Sequence, residues 1–175
     1  MTANSERKPL QSIYKECMTF IDGFQSAVLA TLNKNGEPDS SYAPVLQENQ
    51  RFYIYISELA SHTFNLLENP RASVLFIEPE EKADHLFARQ RATIRVNAAT
   101  VDRDSEQWTD ILNKMEGKFG EIIQMLKPLE DFHLFELTPE SINYVRGFAQ
   151  AYTLTGDDLD EVTHLRDRGH GKKLA

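Results

Sequence analysis

Residues 29–46 read LATLNKNGEPDSSYAPVL, two apolar runs on either side of a strong turn signal. Asn35-Gly36 lies at the centre, and this dipeptide adopts the positive φ angles that a tight hairpin turn requires. The flanking runs at 27–32 and 41–46 are rich in residues that favour strands. The segment therefore predicts an antiparallel hairpin, and the apolar run at 52–56 predicts a third strand directly after it.

Apolar and polar residues alternate most clearly at 91–98, which predicts a strand with two different faces. One face carries Ala92, Ile94, Val96 and Ala98, and the other carries Arg91, Thr93, Arg95 and Asn97. Two arginines are therefore expected on a single outward face. Additional strands are predicted at 72–77, 132–137 and 142–146.

Segments with helical periodicity lie before and between these strands. Apolar residues recur at spacings of three and four over 9–23, which predicts an amphipathic helix. A short helix is predicted at 58–68, where Asn69-Pro70 ends it, and a longer one from Asp104 onward. Together the elements indicate a mainly β fold, a split β-barrel of about six or seven mostly antiparallel strands with helices packed outside.

The chain of 175 residues is long enough for one hydrophobic core, and we expect a single domain over 1–175. The barrel body is expected at 8–148, because the apolar periodicities end near residue 148. The remainder, 149–175, is expected to be a tail. Within this tail Leu159, Val162 and Leu165 could form one short helix.

Composition excludes several classes of protein. No apolar stretch approaches the roughly 20 residues that cross a membrane, and the polar start of the chain offers no secretory signal, so we expect a cytoplasmic protein with no membrane partner. The single cysteine, Cys17, permits neither a disulfide nor a thiolate metal cluster within one chain, and we expect it in the core. The formal net charge of -8 opposes binding to nucleic acid.

Short catalytic motifs are not found: there is no nucleotide-binding glycine pattern or serine elbow, and the five histidines lack metal-ligand spacing. Two basic clusters stand out: Arg89, Arg91 and Arg95, and the terminal run 168–173. Either cluster could be no more than a solvated surface. In the terminal run, however, Gly169 and Gly171 leave the imidazole of His170 unhindered, with Lys172 beside it to meet an anion.

Longer motifs resemble a known superfamily. LATLNKNGEPDSSYAPVL, RFYIYIS, NLLENP and RASVLFIE, within about residues 10–146, resemble the split-barrel flavoproteins typified by pyridoxamine phosphate oxidase. Within that superfamily, SELASHTFNLLENP, LFARQRATI, EDFHLFEL and YVRGFAQAYTL resemble the haem-utilisation branch called HutZ or HugZ. The terminal RDRGHGKK resembles the haem-ligating tail of that branch.

One departure from the flavoprotein pattern bears on the cofactor. Flavin-binding members have a lysine three residues before the Asn65-Leu66 pair, where it contacts the flavin phosphate, and this chain has His62. A neutral imidazole is a weaker phosphate partner than an ammonium ion. The resemblance therefore implies haem rather than FMN, with His62 close to the cofactor. His62 could equally be an ordinary residue of a helix terminus.

The resemblance also implies a catalytic pair. His170 is expected to be the axial ligand of the haem iron. Asp131, in the EDFHLF motif, is expected to accept a hydrogen bond from that imidazole, which fixes its tautomer. The carboxylate would come from the same chain or across a subunit interface, and Asp131 could also be a plain surface residue. If His170 is not the ligand, His62 and His133 are the next candidates.

The arginine cluster is the expected partner of the haem propionates, because a guanidinium matches a carboxylate in shape and charge. Arg91 is the preferred candidate, and Arg89, Arg95 and Lys172 are weaker ones. These arginines could instead bridge a dimer interface. The resemblance implies a homodimer with the haem site near the subunit interface.

Three functions from different classes are compatible with these features: oxidative haem degradation, haem storage or delivery without turnover, and an FMN-dependent oxidase of small amines or phosphate esters. Degradation is the preferred hypothesis. Haem would be both cofactor and substrate, an unidentified donor would supply electrons, and iron and an opened tetrapyrrole would be the products. Such chemistry needs no conventional general base.

Overall fold

Residues 10–165 are described by a computed structural model, and within this range they form four helices and nine strands. The helices are α1 (Leu10–Asp22), α2 (Ser61–Glu68), α3 (Glu106–Phe119) and α4 (Ile122–Leu126). The strands are β1 (Ser26–Leu32), β2 (Pro38–Pro44), β3 (Leu46–Glu48), β4 (Arg51–Ser57), β5 (Arg71–Ile77), β6 (Arg91–Thr100), β7 (Phe132–Gly147), β8 (Gln150–Thr155) and β9 (Glu161–His164). Short 3-10 turns occur at Glu80–Lys82 and Leu86–Ala88.

The strands pair in the order β2-β1-β5-β6-β7-β4-β3, and β8 and β9 extend from β7. Every pair among the described strands is antiparallel. Seven strands therefore form the main path of the sheet, with helices against it, and the predicted fold class is confirmed.

The predicted hairpin at 29–46 is present as β1 and β2, but its turn is longer than a tight two-residue turn. The side chain of Asn33 closes it, accepting hydrogen bonds from the backbone N–H of Asn35 at 2.9 Å and of Glu37 at 3.0 Å. Gly36 has φ of 76°, and Asn35 is not in the positive-φ region. The glycine alone supplies the unusual backbone angle.

The segments predicted as separate strands at 132–137 and 142–146 form one strand, β7, of 16 residues. Its pairing with β6 shifts register between Arg95 and Val96, opposite Pro139, where a β-bulge bends the sheet. Proline has no N–H for the ladder and is tolerated at such an irregularity. The first part of β7 pairs with β4 and the last part with β8, so this strand connects both portions of the curled sheet.

Residues 150–164, which the sequence places in a tail, form β8 and β9. Tyr152, Leu154 and Leu159 are buried in the main core, so the core extends beyond residue 148. The short helix predicted around Leu159 is wrong: Leu159 has φ of 58°, and the residues after it pair with β8. A partner strand satisfies the backbone of so short a segment better than a single isolated turn does.

Two apolar layers hold the sheet. The inward face packs against α1, whose Ile13, Cys17 and Ile21 are almost completely buried. Burial raises the pKa of the Cys17 thiol to about 12, so this residue is inert core packing, as predicted. On the other face of β4, Tyr53 and Tyr55 pack under α3.

None of the helices between residues 10 and 165 is both long enough and apolar enough to span a lipid bilayer.

Candidate functional site

Asp131 and Arg91, two of the predicted site residues, lie at opposite ends of β7. Asp131 immediately precedes the first residue of the strand, whereas Arg91 of β6 pairs with Val145 near its last residue. Strands rise about 3.3 Å per residue, so the 16 residues of β7 would span about 50 Å if straight, and the bulge shortens this length. We call the two regions the aspartate end, at Asp131, and the arginine end, at Arg91.

At the aspartate end, the carboxylate of Asp131 is held by its own chain. The hydroxyl of Ser57 donates to Oδ2 of Asp131 at 2.6 Å, and the backbone N–H of Glu58 donates to the carbonyl oxygen of Asp131 at 2.9 Å. Within residues 10–165, the other carboxylate oxygen, Oδ1, accepts no hydrogen bond. It is therefore oriented and available to a donor from outside this part of the chain, as an acceptor for an imidazole N–H requires.

Arg103 fixes the loop that carries Asp131. Its guanidinium donates to three backbone carbonyl oxygens, those of Lys127 at 2.9 Å, Leu129 at 2.8 Å and Phe132 at 2.8 Å. These carbonyls lie on both sides of Asp131 in the chain. The planar fork of an arginine can satisfy several acceptors at once, which an ammonium group cannot do with the same fixed geometry.

We expect Arg103→Ala to lower the free energy of unfolding by about 2 kcal/mol, because three carbonyls lose a charged donor at once. Urea denaturation followed by circular dichroism would measure the change. The control is Lys114→Ala, which removes exposed ion pairs to Glu48 and Asp110 and should shift the midpoint much less. Equal urea midpoints for the two variants would show that the hydrogen bonds of Arg103 do not stabilise the fold.

His133 also lies at the aspartate end. Its Nε2 atom is 2.7 Å from Oε1 of Glu58, and its ring contacts that of Phe135. It lines a cavity of ≈ 340 Å³ together with Arg103 and Trp108. Since Nε2 is already engaged, iron ligation by this nitrogen would first require the contact with Glu58 to break.

At the arginine end, the alternation predicted for 91–98 is confirmed: Arg91 and Arg95 share the face opposite the buried residues of β6. Arg89 is used within its own loop, where its guanidinium donates to the carbonyl of Glu78 and pairs with Glu80. The guanidinium of Arg91 donates once, to the carbonyl of Arg89 at 3.1 Å, and this side chain makes no other hydrogen bond within residues 10–165. Arg91 therefore keeps donors that can meet an anion.

Arg95 lies further along the same face. It lines a cleft of ≈ 330 Å³ with Arg71 and Glu140. Arg95 therefore lies beside the β-bulge, and the carboxylate of Glu140 lines the same cleft. Arg95 is consequently a less suitable anion partner than Arg91.

The last strand leads the chain toward the arginine end. His164 of β9 is opposite Tyr152 of β8, which is opposite Tyr144 of β7, one residue from the partner of Arg91. His170 and Lys172 lie outside the described residues. His170 follows His164 by six positions, a stretch of chain that can span at most about 20 Å.

His62, at the start of α2, is 7% exposed. Burial holds the pKa of His62 below its ordinary value, although the carboxylate of Asp39 acts in the opposite direction. Oδ2 of Asp39 accepts hydrogen bonds from Ser61 at 2.8 Å and from Asn65 at 3.1 Å. A neutral imidazole beside a carboxylate does not suit a phosphate group.

Ser57 and Arg103 were not predicted from the sequence. Both residues are distant from Asp131 in the sequence. The contact of Ser57 forms only when β4 pairs with β7, and those of Arg103 form only when the residues after β6 approach the end of α4. The sequence offered one signal for Ser57, because it is the last residue of the motif RFYIYIS that carries the family resemblance.

Comparison with known proteins identifies the family of this chain. The family model described as pyridoxamine 5'-phosphate oxidase matches residues 13–146. The protein named heme oxygenase HutZ, from Vibrio cholerae serotype O1, is 46% identical over 144 residues, which are 82% of this chain and 81% of that protein.

Two solved structures are similar to this chain in both sequence and fold. A crystal structure of HutZ from Vibrio cholerae, described as a heme storage protein, has a TM-score of 0.69 and 42% identity, covering 72% of this chain and 89% of that one. Campylobacter jejuni ChuZ has a TM-score of 0.85 and 35% identity, covering 98% of this chain and 69% of its own. This chain therefore belongs to the pyridoxamine 5'-phosphate oxidase family and, within it, to the HutZ branch.

Proposed function

We propose that this protein binds haem and degrades it oxidatively, releasing iron and an opened tetrapyrrole for iron utilisation. The observation that carries the proposal is 46% identity, over 82% of the chain, to a protein named heme oxygenase. Storage without turnover is the second candidate, because the crystal structure of HutZ is described as that of a heme storage protein. The proposal places the reaction in the cytoplasm, a reducing compartment that suits both an unpaired thiol such as Cys17 and an electron donor.

The residues have distinct roles in this proposal. His170 ligates the iron through one ring nitrogen, and Arg91 directs its unused donors at a propionate, with Lys172 as a second cation. Asp131 accepts the other N–H of the imidazole through Oδ1, while Ser57 holds Oδ2. Bound haem supplies the redox-active iron and is also the substrate, so the protein contributes ligation, orientation and access.

The lengths of the elements support a site shared between two chains. The tail starts near the arginine end and reaches about 20 Å at most from His164 to His170. Asp131 lies at the opposite end of the 16-residue β7. The length of β7 therefore separates Asp131 from the His170 of its own chain, and this favours a homodimer in which a second copy supplies the carboxylate at the subunit interface.

An exposed apolar face of the sheet supports the dimer as well. Val28 of β1, 41% exposed, is paired with both Tyr42 of β2, 70% exposed, and Leu75 of β5. Contiguous apolar residues on a face of this kind mark interaction surfaces. An obligate interface here should bury more than about 1,200 Å².

We expect light scattering to give the mass of a dimer at micromolar concentration, and Val28→Asp to convert it to a monomer because a charge would be buried in the interface. The matched control is Met125→Asp, at a 69% exposed residue of α4 outside this face. A wild-type monomer would contradict the dimer, and a dimeric Val28→Asp variant would move the interface elsewhere.

FMN is not proposed as the cofactor. The position that carries a phosphate-binding lysine in flavin-binding relatives holds a neutral, buried His62, and the carboxylate of Asp39 lies beside it. Both features weaken binding of a phosphate dianion. The residues present therefore do not fit this cofactor.

The absorption spectrum of the purified protein tests the proposed function. Haem is added first, followed by a reductant and air. A Soret band that appears and then bleaches, with release of ferrous iron to a chelator, is expected for degradation. A persistent Soret band would establish storage instead, and flavin bands without haem uptake would overturn both candidates.

A further inference from the structure

Two exposed phenylalanines lie at the arginine end. Phe87 is 89% exposed and Phe148 is 77% exposed, the largest values among the phenylalanines of residues 10–165. Leu86, beside Phe87, is 65% exposed. Single apolar residues on a surface are ordinary, but several large ones at one end of a sheet mark a contact surface.

The topology brings these residues close to Arg91. Phe148 is in the turn between β7 and β8, just after Val145, the partner of Arg91. Phe87 is in the 3-10 turn Leu86–Ala88, which packs against β7 and is followed by Arg91 at the start of β6. The turns that carry the two aromatic residues therefore both lie near Arg91 in the sheet.

The turns that carry the two rings are firmly held. In the first turn, Arg89 donates to the carbonyl of Glu78, and the side chain of Gln90 donates to the hydroxyl of Tyr144 at 2.6 Å. In the second, Arg146 donates to Gln150 at 2.7 Å and to Glu16 at 2.6 Å.

Hydrogen bonds beside a turn restrict its backbone conformations, so less conformational entropy is lost when a partner covers the rings.

We propose that Phe87 and Phe148 form an apolar wall of the haem site, against which the porphyrin packs while Arg91 meets a propionate. This inference rests on the proposed function. A flat apolar ligand with anionic groups matches two exposed aromatic rings beside a cation. The direction of β9 supports the same occupant, since the segment that contains the expected iron ligand starts at this end.

Phe87→Ser and Phe148→Ser, separately and together, test the wall. Both side chains are exposed, so the fold and the free energy of unfolding should be preserved. We expect each single variant to raise the haem dissociation constant about tenfold and the double variant up to about 100-fold, because apolar contact with the porphyrin is lost. Titration of the Soret band and haem transfer to an excess of an apo-globin would measure the changes.

The position of the Soret band at saturating haem should stay as in the wild type, since the axial ligand is unchanged. Ile122→Ser, at a 48% exposed residue of α4, is the control and should leave the affinity unchanged. A wild-type affinity for haem in the double variant would contradict the proposed packing of the two rings against the porphyrin. Loss of the dimer in that variant would overturn it also, because the rings would then belong to a protein interface. Failure of the wild type to bind haem would instead overturn the proposed function.

Discussion

Replacement of His170 by alanine is expected to abolish axial ligation of haem iron and to stop haem degradation while leaving the fold intact. His170 follows the end of β9 by six positions and has a glycine on each side in the sequence, so we expect its truncation to change the free energy of unfolding by less than about 0.5 kcal/mol. Contacts to the porphyrin and propionates can retain haem loosely, but they cannot set the axial field of the iron.

The Soret position of the ferric complex and the rate of its bleaching under reductant and air would measure the loss, and added imidazole should restore part of both. His62→Ala and His133→Ala are the matched controls. His133 is engaged by Glu58 and His62 is buried, so neither should change the Soret position. A His170→Ala variant with the wild-type Soret band and turnover would assign the iron to another ligand.

Asp131→Asn is expected to preserve haem binding and to lower turnover about 10- to 100-fold, the usual effect of losing a hydrogen bond to a metal-ligating histidine. Asparagine is nearly isosteric and its carbonyl oxygen can still accept from Ser57, so the local fold should survive. An amide directed at the imidazole through its NH₂ group cannot accept the N–H. Degradation kinetics and the iron–histidine stretching frequency would report the change.

The neighbouring substitution Glu130→Gln is the control, because it removes a charge from the same loop without touching Ser57. It should leave both the rate and the stretching frequency near the wild type. An unchanged rate in Asp131→Asn would remove this residue from the mechanism.

A mixed dimer separates the two possible origins of the carboxylate. One chain carries His170→Ala and the other carries Asp131→Asn. If Asp131 acts across the interface, one of the two sites is intact and about half of the activity remains. If it acts within its own chain, both sites are defective and activity falls to that of the variants. The first outcome is expected from the position of Asp131 at the far end of β7.

Local patterns in the sequence predicted much of the fold. Strict alternation at 91–98 assigned Arg91 and Arg95 to one face because successive side chains of a strand point to opposite sides. The turn signal at Asn35-Gly36 placed the first hairpin, since few residues adopt positive φ without strain. The motifs in their order indicated the family and with it the candidates His170 and Asp131, whose roles stay predictions.

What only the tertiary structure decided depends on contacts between residues that are distant in the chain. Residues 132–147 look like two strands until β6 and β4 pair with them, and 150–164 gain strand structure only from β7 and from the core against α1. The separation of Asp131 from Arg91 along β7, and the three carbonyls held by Arg103, arise in the same way. Side-chain periodicity encodes which face is buried, but strand partners are chosen by long-range backbone hydrogen bonds that no local window contains.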